Sequence, residues 1–153
     1  MGARPFKEEQ LMQVRDIMSD HLVCCNPETP LQEVARLMAD YDCGEIPVVR
    51  AGESRRPVGV VTDRDIACRV VAQGLNPLNL TARDCMSSPV VTVSADDDLE
   101  ECCRTMEKQQ VRRVPVVDEI GECCGIVSQA DIARAASETV AGHVVKEVSR
   151  ENA

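Results

Sequence analysis

The chain has almost no aromatic side chains: Phe6 and Tyr41 stand alone, and tryptophan is absent. Single-stranded nucleic acid is held by stacking on aromatic faces, and methylated ammonium groups by aromatic cages. Composition argues against both. Basic charge is also scarce, with 17 Lys and Arg against 26 Asp and Glu and a net charge of −9. Duplex binders need a basic face, so a nucleic-acid partner is not expected. No apolar run approaches the roughly 18 residues that span a bilayer, so no membrane partner is expected either. The opening Met1–Gln10 carries charges and Pro5 and lacks the apolar stretch of a signal peptide. We read residues 1–13 as a leader.

Histidine is limited to His21 and His143, whereas cysteine is plentiful, at nine. Three pairs are vicinal: Cys24-Cys25, Cys102-Cys103 and Cys123-Cys124. Paired zinc ligands are usually two to four residues apart, a gap that vicinal pairs do not supply. The cysteines therefore read as reduced thiols in a cytoplasmic protein, filling the core as small apolar residues. No metal site is expected.

The chain is a repeat. Val14-Arg-Asp-Ile-Met-Ser19 aligns with Ala82-Arg-Asp-Cys-Met-Ser87, and Ile46-Pro-Val-Val49 with Val114-Pro-Val-Val117, both at a spacing of 68. Gly59-Val-Val-Thr-Asp-Arg-Asp-Ile66 aligns with Gly125-Ile-Val-Ser-Gln-Ala-Asp-Ile132 at a spacing of 66. The difference falls in Arg50–Pro57, which predicts a hairpin loop two residues longer than its partner.

Each half predicts strand, helix, strand, strand, helix. The first strands are expected at Leu22–Cys25 and Val90–Val93. Leu31, Val34, Ala35 and Met38, and then Leu99, Cys102, Cys103 and Met106, mark one helix face in each half. Thr29 is the expected N-cap of the first helix, with Pro30 at its first position and Gln32 closing a capping box. Asp97, with Glu100, is the expected cap of the second. Hairpins are expected from Glu45–Val49 with Pro57–Val61 and from Arg113–Val117 with Glu122–Val127. A further helix should begin after Thr62 and after Ser128, and another should run from Val140 to Arg150. The boundaries read 14–71 and 82–137 for the repeats, 72–81 for a linker and 138–153 for a tail. The fold class is mixed α+β, with two β-α-β-β-α units packed sheet to sheet.

Asp16-Ile-Met and Asp84-Cys-Met, the two (Ile/Val)-Pro-Val-Val segments and the two Gly-x-x-(Thr/Ser)-x-x-Asp-Ile segments resemble a tandem pair of cystathionine-beta-synthase (CBS) domains, the Bateman module. The resemblance covers roughly Val14 to Ala136, and order, spacing and duplication make it specific. It implies a stand-alone bacterial regulator rather than an enzyme. It also implies an adenosine-containing ligand in a cleft between the halves: AMP, ADP or ATP, with NAD or S-adenosylmethionine as further members of the class. No cofactor is obligatory. A disc-like homodimer and a regulated protein partner complete the expectation.

Thr62-Asp-Arg-Asp65 and Ser128-Gln-Ala-Asp131 admit two readings. One is a capping box, with a hydroxyl at the N-cap and a carboxylate three residues on. The other uses the free N–H groups of a helix N-terminus for phosphate and the carboxylate for two vicinal ribose hydroxyls. The resemblance assigns ribose to Asp65 and Asp131 and phosphate to Thr62 and Ser128. Arg64, where the second half has Ala130, either neutralises phosphate or lies exposed. The resemblance places adenine beside Val23, Cys24, Gly44, Glu45, Ile46 and Pro47, and beside Val91, Thr92, Arg112, Arg113, Val114 and Pro115. Cys24 departs from the Thr that Thr92 matches. Ile46 and Val114 read equally as sheet core, and Pro47 and Pro115 as edge or bulge positions. Arg55 and Arg56 read as solvated. A ligand-independent dimerisation module and a thiol or metal protein are the alternatives.

Overall fold

Two hairpins organise the chain. The computed structural model describes residues 12–20, 22–52 and 54–135. His21, His143 and the expected Val140–Arg150 helix lie outside the described residues, as does the expected leader up to residue 11. β1 (Glu45–Val49) pairs antiparallel with β2 (Pro57–Thr62). β4 (Arg113–Val117) pairs in the same way with β5 (Cys123–Ser128), and β3 (Val93–Ser94) joins β4 in parallel. The connecting loops run over 50–56 and 118–122, so the first is two residues longer, as the repeat spacing requires. The class is mixed α and β, as expected.

The expected first strands are mostly not strands. Of Leu22–Cys25, only Cys25 pairs, in a parallel bridge to Val48; of Val90–Val93, only Val93 pairs. The prolines are the physical reason. Cys25 N–H donates to the Pro47 carbonyl, and Val49 N–H donates to the Cys25 carbonyl. One more rung towards Val23 would need an N–H from Pro47, which has none. Pro115 ends the second ladder in the same way. Both prolines sit in mid-strand, opposite Val60 and Ile126, and the bulges follow at Val48/Val49 and Val116/Val117. Their β2 and β5 partners require nothing from them. Val60 exchanges both of its backbone bonds with Ser87, and Ile126 both of its own with Ser19.

α1 (Leu31–Asp40) buries Leu31, Val34 and Met38, and α4 (Leu99–Gln109) buries Leu99, Cys102, Cys103 and Met106. These are the predicted faces. The caps differ. Thr29 Oγ1 accepts from Asn26 N–H, Pro30 is itself the N-cap, and the orphan amide of Leu31 donates to the Leu80 carbonyl. A tertiary carbonyl thus replaces the expected hydroxyl cap and its box. In α4 the cap is Asp98, accepting from Glu101 N–H, while Asp97 is drawn back to Ser94 N–H.

The chain forms two units that do not coincide with the repeats. One is Val23–Val90; the other joins the chain up to Leu22 with that from Val91 on. In the first, α2 (Asp63–Asp65) continues as a π-helical turn over Ile66–Val71, and α3 is Ala82–Cys85. Its core holds Cys25, Leu31, Val34, Ile46, Val61 and Cys85. In the second, α5 is Gln129–Ala135, and Val14 joins Val93, Cys102, Met106, Val114 and Ile132 in the core. Each Asp-x-Met-Ser segment therefore packs in the unit built from the other repeat's hairpin.

The cysteines behave as apolar residues. None of the nine forms a disulfide, and Cys25, Cys85, Cys102, Cys103 and Cys123 are buried. Burial pushes the thiols of Cys25 and Cys102 up to about 12 and that of Cys103 up to about 11. Cys68 alone is exposed. Maleimide at pH 8 is therefore expected to label native protein at Cys68 first. Peptide mapping should find Cys25, Cys102 and Cys103 unmodified until denaturant is added, even when the pH is raised to 9. Fast native labelling of the Cys102-Cys103 pair would contradict this placement.

Candidate functional site

The two Thr/Ser-x-x-Asp segments fold alike, at the step from the last hairpin strand into the next helix. Thr62 ends β2 and caps α2. Asp65 N–H donates to Thr62 Oγ1 at 3.0 Å, and Thr62 N–H donates to Asp65 Oδ2 at 3.0 Å. Ser128 and Asp131 repeat this exchange at 3.1 and 2.8 Å. The capping-box reading is therefore correct at both junctions. The first helical amide is also taken in each: Asp63 N–H donates to the Gly44 carbonyl and Gln129 N–H to the Arg112 carbonyl. Arg64 N–H donates to Asp63 Oδ1.

This corrects the expectation of free N–H groups for phosphate at Thr62–Asp65. The amides of Asp63, Arg64 and Asp65 all have partners within the protein. Each hydroxyl accepts a bond and retains its own proton to donate. Each carboxylate uses Oδ2 for the cap and turns Oδ1 elsewhere. Asp65 and Asp131 side chains are each 14% exposed, so each carboxylate is close to solvent without being fully solvated.

The other expected residues divide by burial. Register sets Glu45 opposite Thr62 and Arg113 opposite Ser128, so these residues share one end of each hairpin with the carboxylates. Cys24 and Thr92 are half-buried and immediately precede the parallel rungs at Cys25 and Val93. Ile46 and Val114 have no exposed surface, which makes them sheet core, and Pro47 and Pro115 are buried. Arg64 and Arg112 are exposed. Among the described residues, no group of three His, Cys, Asp or Glu side chains is placed to hold a metal ion.

Glu45, within the expected Gly44–Pro47 lining, is joined at these junctions by two charged residues that escaped the sequence reading, Arg69 and Arg134. Glu45 is a buried acid, 5% exposed, at the start of an apolar strand. Arg69 and Arg134 face the aspartates from the same helices. Their spacings of four and three residues from an aspartate were the available signal.

A family model described as CBS domain matches residues 14–71 and again 82–138. Hypoxic response protein 1 of Mycobacterium tuberculosis is 37% identical over 134 residues, 88% of this chain and 92% of that protein. Its crystal structure, described with two coordinated zinc ions, superposes with a TM-score of 0.73 at 36% identity, covering 82% of this chain and all of that one. An uncharacterised protein of Methanopyrus kandleri, MK0525, is 34% identical over 121 residues, 79% of this chain but 61% of that protein. CBS domain protein PAE2072 from Pyrobaculum aerophilum, complexed with AMP, has a TM-score of 0.75 at 27% identity, over 88% of this chain and 99% of that one. The CBS domain pair of protein MJ0100, in complex with 5-methylthioadenosine and S-adenosyl-L-methionine, has a TM-score of 0.72 at 27% identity, over 81% and 94%.

Proposed function

Because the chain belongs to the CBS domain family, we propose that it is a non-catalytic regulator that binds adenosine-containing nucleotides of the AMP, ADP and ATP class. The observation that carries this reading is the duplicated hydroxyl–carboxylate junction, with Thr62 and Asp65 in one unit and Ser128 and Asp131 in the other. A preset carboxylate accepts two vicinal ribose hydroxyls, and the adjacent hydroxyl donates to a phosphate oxygen. Thr92, Cys24 and the backbone of 44–47 and 112–115 are the residues proposed to line the base. The AMP, methylthioadenosine and S-adenosylmethionine carried by two structural neighbours support the ligand class. Binding shifts a conformational or dimer equilibrium that a protein partner reads.

The exposed Val71, Leu75 and Leu78, each at least half exposed within eight residues, favour a homodimer. A ligand-independent dimer would use the same surface and is the second reading.

The test is calorimetric titration of AMP into wild type and into Asp65→Asn, Asp131→Asn and the double variant. Asparagine retains an oxygen for the capping bond and removes the charge that a diol requires. Each single variant should weaken one site about ten- to a hundredfold, the range for losing charge-assisted hydrogen bonds. The double variant should lose both. Unchanged AMP affinity in all three would contradict the assignment, and a dimer indifferent to every nucleotide would favour the second reading.

A further inference from the structure

Each capping box uses one carboxylate oxygen, and the two remaining oxygens are not equivalent. Asp131 Oδ1 accepts from Arg134 Nη2 at 2.5 Å. Asp65 Oδ1 lies 3.6 Å from Arg69 Nε, an ion pair beyond hydrogen-bond range. The surroundings of the arginines explain the difference. Arg69 Nη1 also reaches the carbonyls of Cys85 and Met86 at 3.4 and 3.5 Å, so its head is drawn towards α3. Arg134 sits three residues from its aspartate, with its side chain 72% exposed, and closes on the carboxylate directly.

We infer that Arg134 is a latch on Asp131, whereas Arg69 leaves Asp65 open, so that the two sites fill in sequence with the Asp65 site first. The inference rests on the reading of these aspartates as ribose acceptors. A vicinal diol needs the outward carboxylate oxygen, and at Asp131 it must first displace a guanidinium. The displacement is light, because an ion pair with one exposed partner is weak and is screened by salt. The latch therefore lowers affinity without abolishing it. Both spacings, i+4 for Arg69 and i+3 for Arg134, suit a helical ion pair; the carbonyls of Cys85 and Met86 separate them.

The test is AMP titration of Asp65→Asn, in which only the Asp131 site reports, against Asp65→Asn/Arg134→Ala. Removing the latch should tighten binding about two- to fivefold, the range for a weak ion pair. Arg134→Lys should retain most of the latch. If AMP binding to Asp65→Asn is too weak to measure, the Arg134→Ala change should bring it into range. Binding that is unchanged, weaker or still absent after Arg134→Ala, with wild type binding AMP, overturns the latch and leaves the proposed function standing. Failure of wild type to bind AMP, ADP and ATP alike overturns both.

Discussion

Gly125→Ala is expected to destabilise the protein by about 1–3 kcal/mol or more, the usual range for overfilling a packed site. A Cβ at Gly125 would lie 2.6 Å from the Ser19 carbonyl oxygen and 2.9 Å from Met18 Sδ. Methionine can turn away, but the carbonyl cannot. Ser19 exchanges two backbone hydrogen bonds with Ile126, at 2.8 and 3.0 Å, directly beside the glycine. Moving the segment to admit one methyl group breaks that exchange. The entropy gained by replacing glycine with alanine is about 0.4–1 kcal/mol, too little to compensate. Gly59 meets the equivalent neighbours, Met86 Sδ and the Ser87 carbonyl, both at 2.9 Å. Gly59→Ala should therefore be destabilising but milder. Urea unfolding midpoints measure both. Two variants within about 0.5 kcal/mol of wild type, the range of neutral surface changes, would contradict the close approach.

The second large effect concerns where the chain can be cut. A fragment spanning Val23–Val90 is expected to fold, whereas one spanning Val14–Val71, a complete repeat by sequence, is not. The shorter cut removes Leu80, Ala82 and Cys85, and with them the acceptor for Leu31 N–H, the bonds from Ala82 and Arg83 to the 27–29 loop, and the Ser87–Val60 pair. It also leaves Val14, fully buried in the intact chain, without Ala95, Asp97 and Leu99. A core of this size supplies only about 3–5 kcal/mol, so losing several buried groups and pairs removes most of it. Thermal unfolding followed by circular dichroism distinguishes the two fragments. A cooperative transition for 14–71 that matches or exceeds that of 23–90 would contradict the unit boundaries.

The same segment shows what the sequence could and could not reveal. Both hairpins were legible because proline, valine and glycine repeat at fixed spacing and the extra residues fall in one loop. The helix faces were legible because apolar periodicity is local. The exchange of Asp-x-Met-Ser segments was not legible, since Ser19 and Ile126 lie far apart in the chain and nothing near either one specifies the pairing. Caps failed for related reasons. Thr29 was displaced by a carbonyl from Leu80, and Asp97 and Asp98 are chemically identical neighbours separated only by which amide each reaches.

At the candidate site, the residue types and their duplication were legible, and the state of each group was not. Spacing alone could not tell a capping box from a ligand site, because both need a hydroxyl and a carboxylate three residues apart. The structure contains the box, and its geometry leaves one outward oxygen per aspartate. Arg69 and Arg134 differ by one residue in spacing, yet tertiary carbonyls decide which of them closes.

The most direct test of the account is the amide spectrum of isotope-labelled protein during titration with AMP. The account predicts saturable shifts that cluster at Gly44 and Thr62–Asp65 and at Arg112 and Ser128–Asp131, and that vanish in the Asp65→Asn/Asp131→Asn variant. An unchanged spectrum at saturating AMP, ADP and ATP, or shifts confined to other parts of the chain, would contradict it.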